Sequence, residues 1–338
     1  MRRFVPFLFA GIGAAALVAL SFALGLGELR RAIARASALP FLGFLAVSVA
    51  VFATYALRWR LVLRSLGEAA PPLHQLVLFR ASGHAAATLV PSAQLSGEPV
   101  RALLLRGNGV SWRGAIVAVA TDRLVEAIAG VVVGPLYLAA FFWWSDSSAA
   151  AAPWALALVG VTLAGVIGIW IGAARGGAIS HWLARRALVR SMPEELRSAT
   201  DRIIAFMRGP DFRRALALSL AVEVLLVIEL WTLTRAFGIA LSLPTIGGVL
   251  VGMGVAQLAP IPGALGSLEA VQVGVLSFAG GGADVGLAVG FLVRLRETIW
   301  VAVGAAYLYA RGIGLTAAPA TSGNASPIEP NGRTASRR

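Results

Sequence analysis

VPSAQLSGEPVRALLLR, residues 90–106, breaks an apolar segment that begins near His74. LAPIPGALGSLEA, residues 258–270, breaks the segment from Thr245 to Phe278 in the same way. Pro91, Pro260 and Pro262 enforce the interruptions, because proline lacks a backbone donor and disrupts a helix interior. Gly97, Gly263 and Gly266 allow tight backbone at the same places. These six are read as the hinge residues. Lipid does not tolerate irregular backbone; at membrane depth it survives only inside protein or beside a watery cavity. Both stretches are therefore read as re-entrant hairpins with a broken helix.

Composition explains why a membrane is the right frame. Of 338 residues, 58% are hydrophobic and only 13% charged, and mean hydropathy is +0.80. Soluble domains carry about 25% charged residues. At half that charge the chain cannot cover a water-facing surface, which disfavours soluble enzymes, nucleic-acid binders and disordered scaffolds. All 29 basic residues are Arg, and the net charge is +13. Placement on one side of a membrane accounts for this better than a nucleic-acid partner does. With no Cys, and with His74, His84 and His181 at no ligand spacing, neither a metal nor a cofactor is expected.

Apolar runs near 4–27, 40–57, 112–144, 154–174, 215–237 and 286–310 give about six full spans of the required ~20 residues. Arg58, Arg60 and Arg64 form a basic face that ends the second run. Residues 175–214 form a cytoplasmic linker. Within it, SMPEELRSATDRIIAFMRG (191–209) reads as one surface helix. Ser191 and Glu194 have capping-box spacing, and Gly209 ends the helix. Leu196, Ala199, Ile203, Phe206 and Met207 share a face. A plain linker helix is favoured over one lying on lipid. One integral-membrane domain then covers 1–314, and the Pro-, Ser-, Ala- and Gly-rich tail, 315–338, reads as disordered.

The two interruptions belong to a repeat. A gapless shift of 171 residues brings Arg64 onto Arg235, Gly67 onto Gly238, Pro91 onto Pro262, Glu98 onto Glu269 and Gly109 onto Gly280. It also brings Arg123, Leu124, Glu126 and Ile128 onto Arg294, Leu295, Glu297 and Ile299. Matches of scarce charges weigh more than matches among Ala, Leu and Val. The units run from about 41 to 140 and from about 212 to 311. With re-entrant hairpins and a cytoplasmic N-terminus, 22 Arg fall inside and 4 outside. The positive-inside rule favours this arrangement. One unit then starts outside and its copy inside, which is an inverted repeat as in many secondary transporters. The expected fold is an all-α polytopic membrane protein with the N-terminus and tail cytoplasmic.

Charges within spans are costly, about 2.5–3.5 kcal/mol each on insertion scales, and usually pair or line a functional cavity. Arg123 with Glu126, and Arg294 with Glu297, are three residues apart and share a helix face. They are read either as structural pairs or as a polar cavity in which Arg engages a lipid phosphate. Glu98 and Glu269 follow the breaks. There they cap helix N-termini, balance the Arg charges or carry protons. No phosphate-binding loop, metal cluster or nucleophile motif is present, so no catalytic residue is assigned.

LVPSAQLSGEPVRALLLRGNGVS, TDRLVEAIAG, LAPIPGALGSLEA and FLVRLRETIW together resemble the lysylphosphatidylglycerol synthase transmembrane region family, also called the flippase-like or UPF0104 membrane family. The resemblance covers about residues 5–312. Its motif positions fall on Pro91, Gly97, Glu98, Arg101, Arg123, Pro262, Gly263, Gly266, Glu269 and Arg294. The chain departs from the pattern in a longer stretch between Pro91 and Gly97, and in Ala264 where a second Gly is common. The resemblance implies a module tied to lipid translocation. The soluble aminoacyl-transfer domain of the multidomain synthases is not seen here, so lysyl transfer is not expected.

The leading functional expectation is a lipid flippase or scramblase of the bacterial inner membrane, acting on a phospholipid or polyprenyl-phosphate lipid with an anionic headgroup. Arg123, Arg294 and Arg101 would bind it together with Glu98, Glu126, Glu269 and Glu297. Two alternatives remain: a scaffold partnered with envelope-lipid synthesis enzymes, and an integral-membrane lipid transferase. Oligomeric state is left open.

Overall fold

The computed structural model describes residues 37–90, 96–144, 160, 194–257 and 262–313. The expected spans at 4–27 and 154–174, the hinge prolines Pro91 and Pro260, the cap Ser191 and the tail lie outside the described residues.

Every described element is helical. The first unit comprises α1 (Ala38–Ser65), α2 (Leu73–Leu89), α3 (Gly97–Arg106) and α4 (Trp112–Trp144). After the linker helix α5 (Glu194–Arg208), the second unit comprises α6 (Pro210–Ala236), α7 (Leu243–Gln257), a 3₁₀ turn (Pro262–Ala264), α8 (Ser267–Phe278) and α9 (Gly282–Ala310). Adding 171 to the start of α1, α2, α3 and α4 lands within one residue of the start of α6, α7, α8 and α9.

The helix ends repeat too. After α1, Gly67 (φ 74°) donates to the Arg64 carbonyl, and Glu68 donates to that of Leu63. After α6, Gly238 (φ 76°) donates to Arg235, and Ile239 to Thr234. Both are Schellman ends, for which a left-handed glycine is the natural residue.

α1, α4 and α6 are each long and apolar enough to cross a membrane. α9 has 29 residues, but Arg294, Arg296 and Glu297 interrupt its apolar character. The short apolar helices α7 and α8 flank the second break. α1 continues two turns past the expected end of its apolar run. Arg58 is therefore not part of a basic surface face; it is wholly buried inside the helix bundle.

α1 and α6 pack along their lengths and run antiparallel. The Ser37 amide donates to the Ala236 carbonyl at one end, at 2.7 Å, and Ser65 Oγ donates to Asp211 Oδ2 at the other, also at 2.7 Å. The units are exchanged across this pair: α2 packs on α9, and α7 packs on α4. In a bilayer, lipid removes most of the hydrophobic drive for helix association, so close packing and interhelical polar contacts decide it. Gly304 on α9 faces the Ala81 backbone of α2 so closely that a side chain there would overlap the Ala81 carbonyl. Gly248 of α7 lies against the Phe141 ring of α4. A Cβ on Gly130 or Gly134 of α4 would meet nothing within 4 Å among the described residues.

On α5, Phe206 is buried in the core around Trp59 and Leu105, with Met207 packed beside it. Arg202 donates to the Leu66 carbonyl and to Glu68 Oε1, at 2.6 and 2.9 Å. This part of the linker helix is docked on the first unit.

A candidate site of buried charges at the two breaks

α4 presents Asp122 and Glu126 one turn apart on its inner face. Asp122 is 0% exposed, and three other helices reach it. Arg58 of α1 donates through Nε to Asp122 Oδ1 at 2.8 Å and through Nη2 to Glu126 Oε2 at 2.9 Å. Its Nη1 donates to Ser219 Oγ of α6 at 3.0 Å. Arg80 of α2 donates to Asp122 Oδ2 at 3.2 Å and to Glu126 Oε2 at 2.7 Å, with its guanidinium 4.0 Å over the Tyr55 ring. Arg101 of α3 donates to Asp122 Oδ2 at 2.5 Å and to Glu98 Oε2 at 3.1 Å, stacked 4.1 Å over Trp59. Paired, hydrogen-bonded burial is the condition under which charges survive away from water.

Glycines make this convergence fit. A Cβ on Gly83 would stand 2.7 Å from Arg101 Cγ, and one on Gly97 would stand 2.5 Å from the Gly83 carbonyl oxygen. The two segments of the first broken helix thus meet backbone to backbone, which brings Arg101 over α2 and onto Asp122.

Arg123 lies on the other side of this cluster. Its Nη1 donates to Glu126 Oε1 at 3.0 Å, and its Nε is 3.7 Å from Glu98 Oε1. Its side chain is 45% exposed.

The second break has a smaller cluster. Arg294 of α9 donates through Nε and Nη2 to the two oxygens of Glu269, at 2.8 and 3.3 Å, and through Nη1 to Glu297 Oε2 at 3.0 Å. Nη1 also donates to the Gly263 carbonyl, and Nη2 to that of Ala264 at 2.8 Å. Glu269 Oε2 accepts the Gly266 amide at 2.8 Å, so this carboxylate both caps α8 and pairs with Arg294. Gln257 donates to Glu297 Oε1 at 3.3 Å. Nearby, Arg296 pairs with Glu229 of α6 at 2.8 Å. The turn is strained: Gly263, Ala264 and Gly266 have φ of 57°, 50° and 80°. Ala264, where the family pattern favours Gly, adopts a conformation that costs a residue with Cβ about 1–2 kcal/mol.

The structure therefore joins Glu98, Arg101, Arg123 and Glu126 in one group, and Glu269, Arg294 and Glu297 in another. Sequence reading did not assign Arg58, Arg80, Asp122, Glu229 or Arg296 to the site, and it placed Arg58 in a basic face. One signal was available. Asp122 and Glu126 are i, i+4 acids in an apolar helix, and such a face needs cationic partners from other helices.

Taken together, this is a helical membrane protein whose interior is tied by ion pairs at two interrupted helices. Residues 7–306 match the Lysylphosphatidylglycerol synthase TM region family, and the chain belongs to it. Two relatives, both called UPF0104 membrane protein and both from Methanothermobacter thermautotrophicus, are similar along most of their length. One is 25% identical over 304 residues, covering 84% of this chain and 88% of the relative. The other is 26% identical over 331 residues, covering 88% and 90%.

Proposed function

We propose that the chain is a flippase- or scramblase-like transporter that moves a lipid with an anionic headgroup, a phospholipid or polyprenyl-phosphate lipid, across the bacterial inner membrane. The observation that carries this reading is the cluster at the first break. Guanidinium groups from α1, α2, α3 and α4 meet there inside a bundle of apolar helices, and one of them, Arg123, is open at the edge. Guanidinium binds phosphate through paired, directional hydrogen bonds. A transporter needs such a group where helices are interrupted and the backbone is shielded from lipid.

An inverted repeat of six spans and two re-entrant hairpins is the architecture we assign. It is supported by the antiparallel α1 and α6, which are equivalent under the 171-residue shift, and by the exchanged packing of α2 on α9 and α7 on α4. The N-terminus and tail are assigned to the cytoplasm. Arg58, Arg80 and Arg101 belong to the protein interior, so the inside tally falls from 22 to 19 against 4, and the bias holds.

The test is movement of fluorescent phosphatidylglycerol in vesicles containing the purified chain, read by dithionite quenching, followed by analysis of the recovered lipid. Faster loss of protected probe than in protein-free vesicles, with the lipid unmodified, is expected. Chemically altered lipid would instead indicate a transferase. No movement across a panel of anionic lipids would indicate a scaffold.

A further inference from the structure

The repeat makes Arg123 and Arg294 equivalent in position, yet their surroundings differ. Arg294 has five N–H donors, and its five hydrogen bonds are to Glu269 Oε1, Glu269 Oε2, Glu297 Oε2 and the carbonyls of Gly263 and Ala264. Nothing remains on that guanidinium for a ligand. It is 7% exposed and fastens a turn whose Ala264 is held at φ 50°.

Arg123 is the opposite case. Among the described residues its single hydrogen bond is the one from Nη1 to Glu126, and Nη2 has no partner. Inside the first cluster, Arg58, Arg80 and Arg101 are ion-paired with Asp122, Glu126 and Glu98, and Glu223 of α6 lies close enough to interact with Glu126 and Arg58. Of the four arginines, Arg123 is the exposed one. In the second cluster Arg294 and Arg296 stand against Glu269, Glu297 and Glu229.

We propose that the two repeated arginines have divided their work: Arg123 is the single contact for a phosphate-bearing headgroup, and Arg294 is a structural pin of the second break that takes no ligand. The assignment of a lipid as the source of that phosphate rests on the transport reading above. The headgroup then binds asymmetrically, at the first unit only, and a phosphate diester is held beside Glu98 and Glu126 without displacing the inner ion pairs. A phosphate at Arg294 would have to break a bond to a carboxylate or to the turn.

The experiment is binding to the full chain in detergent. Short-chain phosphatidylglycerol, short-chain phosphatidylcholine and inorganic phosphate are each titrated and read by tryptophan fluorescence, with a thermal melt of every variant. Arg123→Gln should weaken phosphatidylglycerol binding by about tenfold or more, the weight of one charge-assisted contact, and leave the Tm close to wild type. Arg294→Gln should lower the Tm by more than about 5 °C and keep the affinity. Should Arg294→Gln fail to fold, Glu269→Gln serves in its place, since it loosens the pin while leaving the bonds from Arg294 to Gly263, Ala264 and Glu297. Equal loss of affinity in the Arg123 and second-unit variants, or an Arg123→Gln melt as depressed as that of Arg294→Gln, would overturn the division. Inorganic phosphate binding as tightly as the lipid would overturn the lipid assignment. Transport is not read here, so a chain that binds as described but moves no lipid would refute the proposed function and leave the division standing.

Discussion

The two units share a helix plan but stabilise it by different means. Shifting by 171 residues carries Asp122 to Val293, Arg80 to Val251 and Arg101 to Gln272, and Arg58 to the oppositely charged Glu229. The first unit is tied through one buried carboxylate that four helices share. The second is tied by apolar packing around Val249, Leu268 and Val293, plus a guanidinium that grips a turn. Two stretches with matching helix starts can thus be held together by different means, one by buried charge and one mainly by apolar packing.

The sharpest way to break this comparison is at Asp122. Asp122→Asn leaves three interior guanidinium groups without their shared counter-charge, and truncating one side of a buried ion pair costs about 3–5 kcal/mol. Val293→Ala at the equivalent position should cost on the order of 1 kcal/mol. Unfolding in mixed detergent micelles would rank the two, and equal losses would refute the idea of a charge-tied first unit.

Gly97→Ala comes next. Its Cβ would push on the Gly83 carbonyl, and overpacking of this kind costs about 1–3 kcal/mol. The second-unit counterpart of Gly83 is Gly254, where a Cβ would meet nothing within 4 Å among the described residues. Gly254→Ala, at a helical position, should stabilise by roughly 0.5–1 kcal/mol. The same melts check both signs.

The smallest expected effects are at the serines. Ser219 and Ser48 are equivalent under the shift. The first accepts from Arg58 at 3.0 Å, and the second accepts from Trp300 Nε1 at 2.7 Å. Each Ser→Ala change should cost about 1 kcal/mol, with Ser219→Ala the larger because its donor is charged.

Much of the plan was legible because it is local. The break at Gly263 to Gly266 and the paired Arg and Glu residues of α4 and α9 follow from spacing along one helix. Gly67 and Gly238 showed in the sequence only as a repeated match; that both end helices in a left-handed conformation comes from the structure. The network around Asp122 was not legible. Arg58 follows an apolar run and precedes Arg60 and Arg64, so it reads as one of three basic residues at a membrane edge. It is the packing of α4 and α6 against α1 that encloses it. Arg80 and Asp122 are brought together because α2 and α4 both pack against α1 and α3, which no periodicity along either helix encodes. Nor does sequence equivalence reveal that Arg294 is saturated, because two of its partners are backbone carbonyls of a left-handed turn.

The central claim is that the first-unit cluster is where lipid is handled. The direct measurement is headgroup movement of fluorescent phosphatidylglycerol in vesicles, wild type against Arg123→Ala, at matched incorporation and with both proteins shown to melt alike. The account predicts movement by the wild type and its loss in Arg123→Ala. Full movement by Arg123→Ala would contradict it.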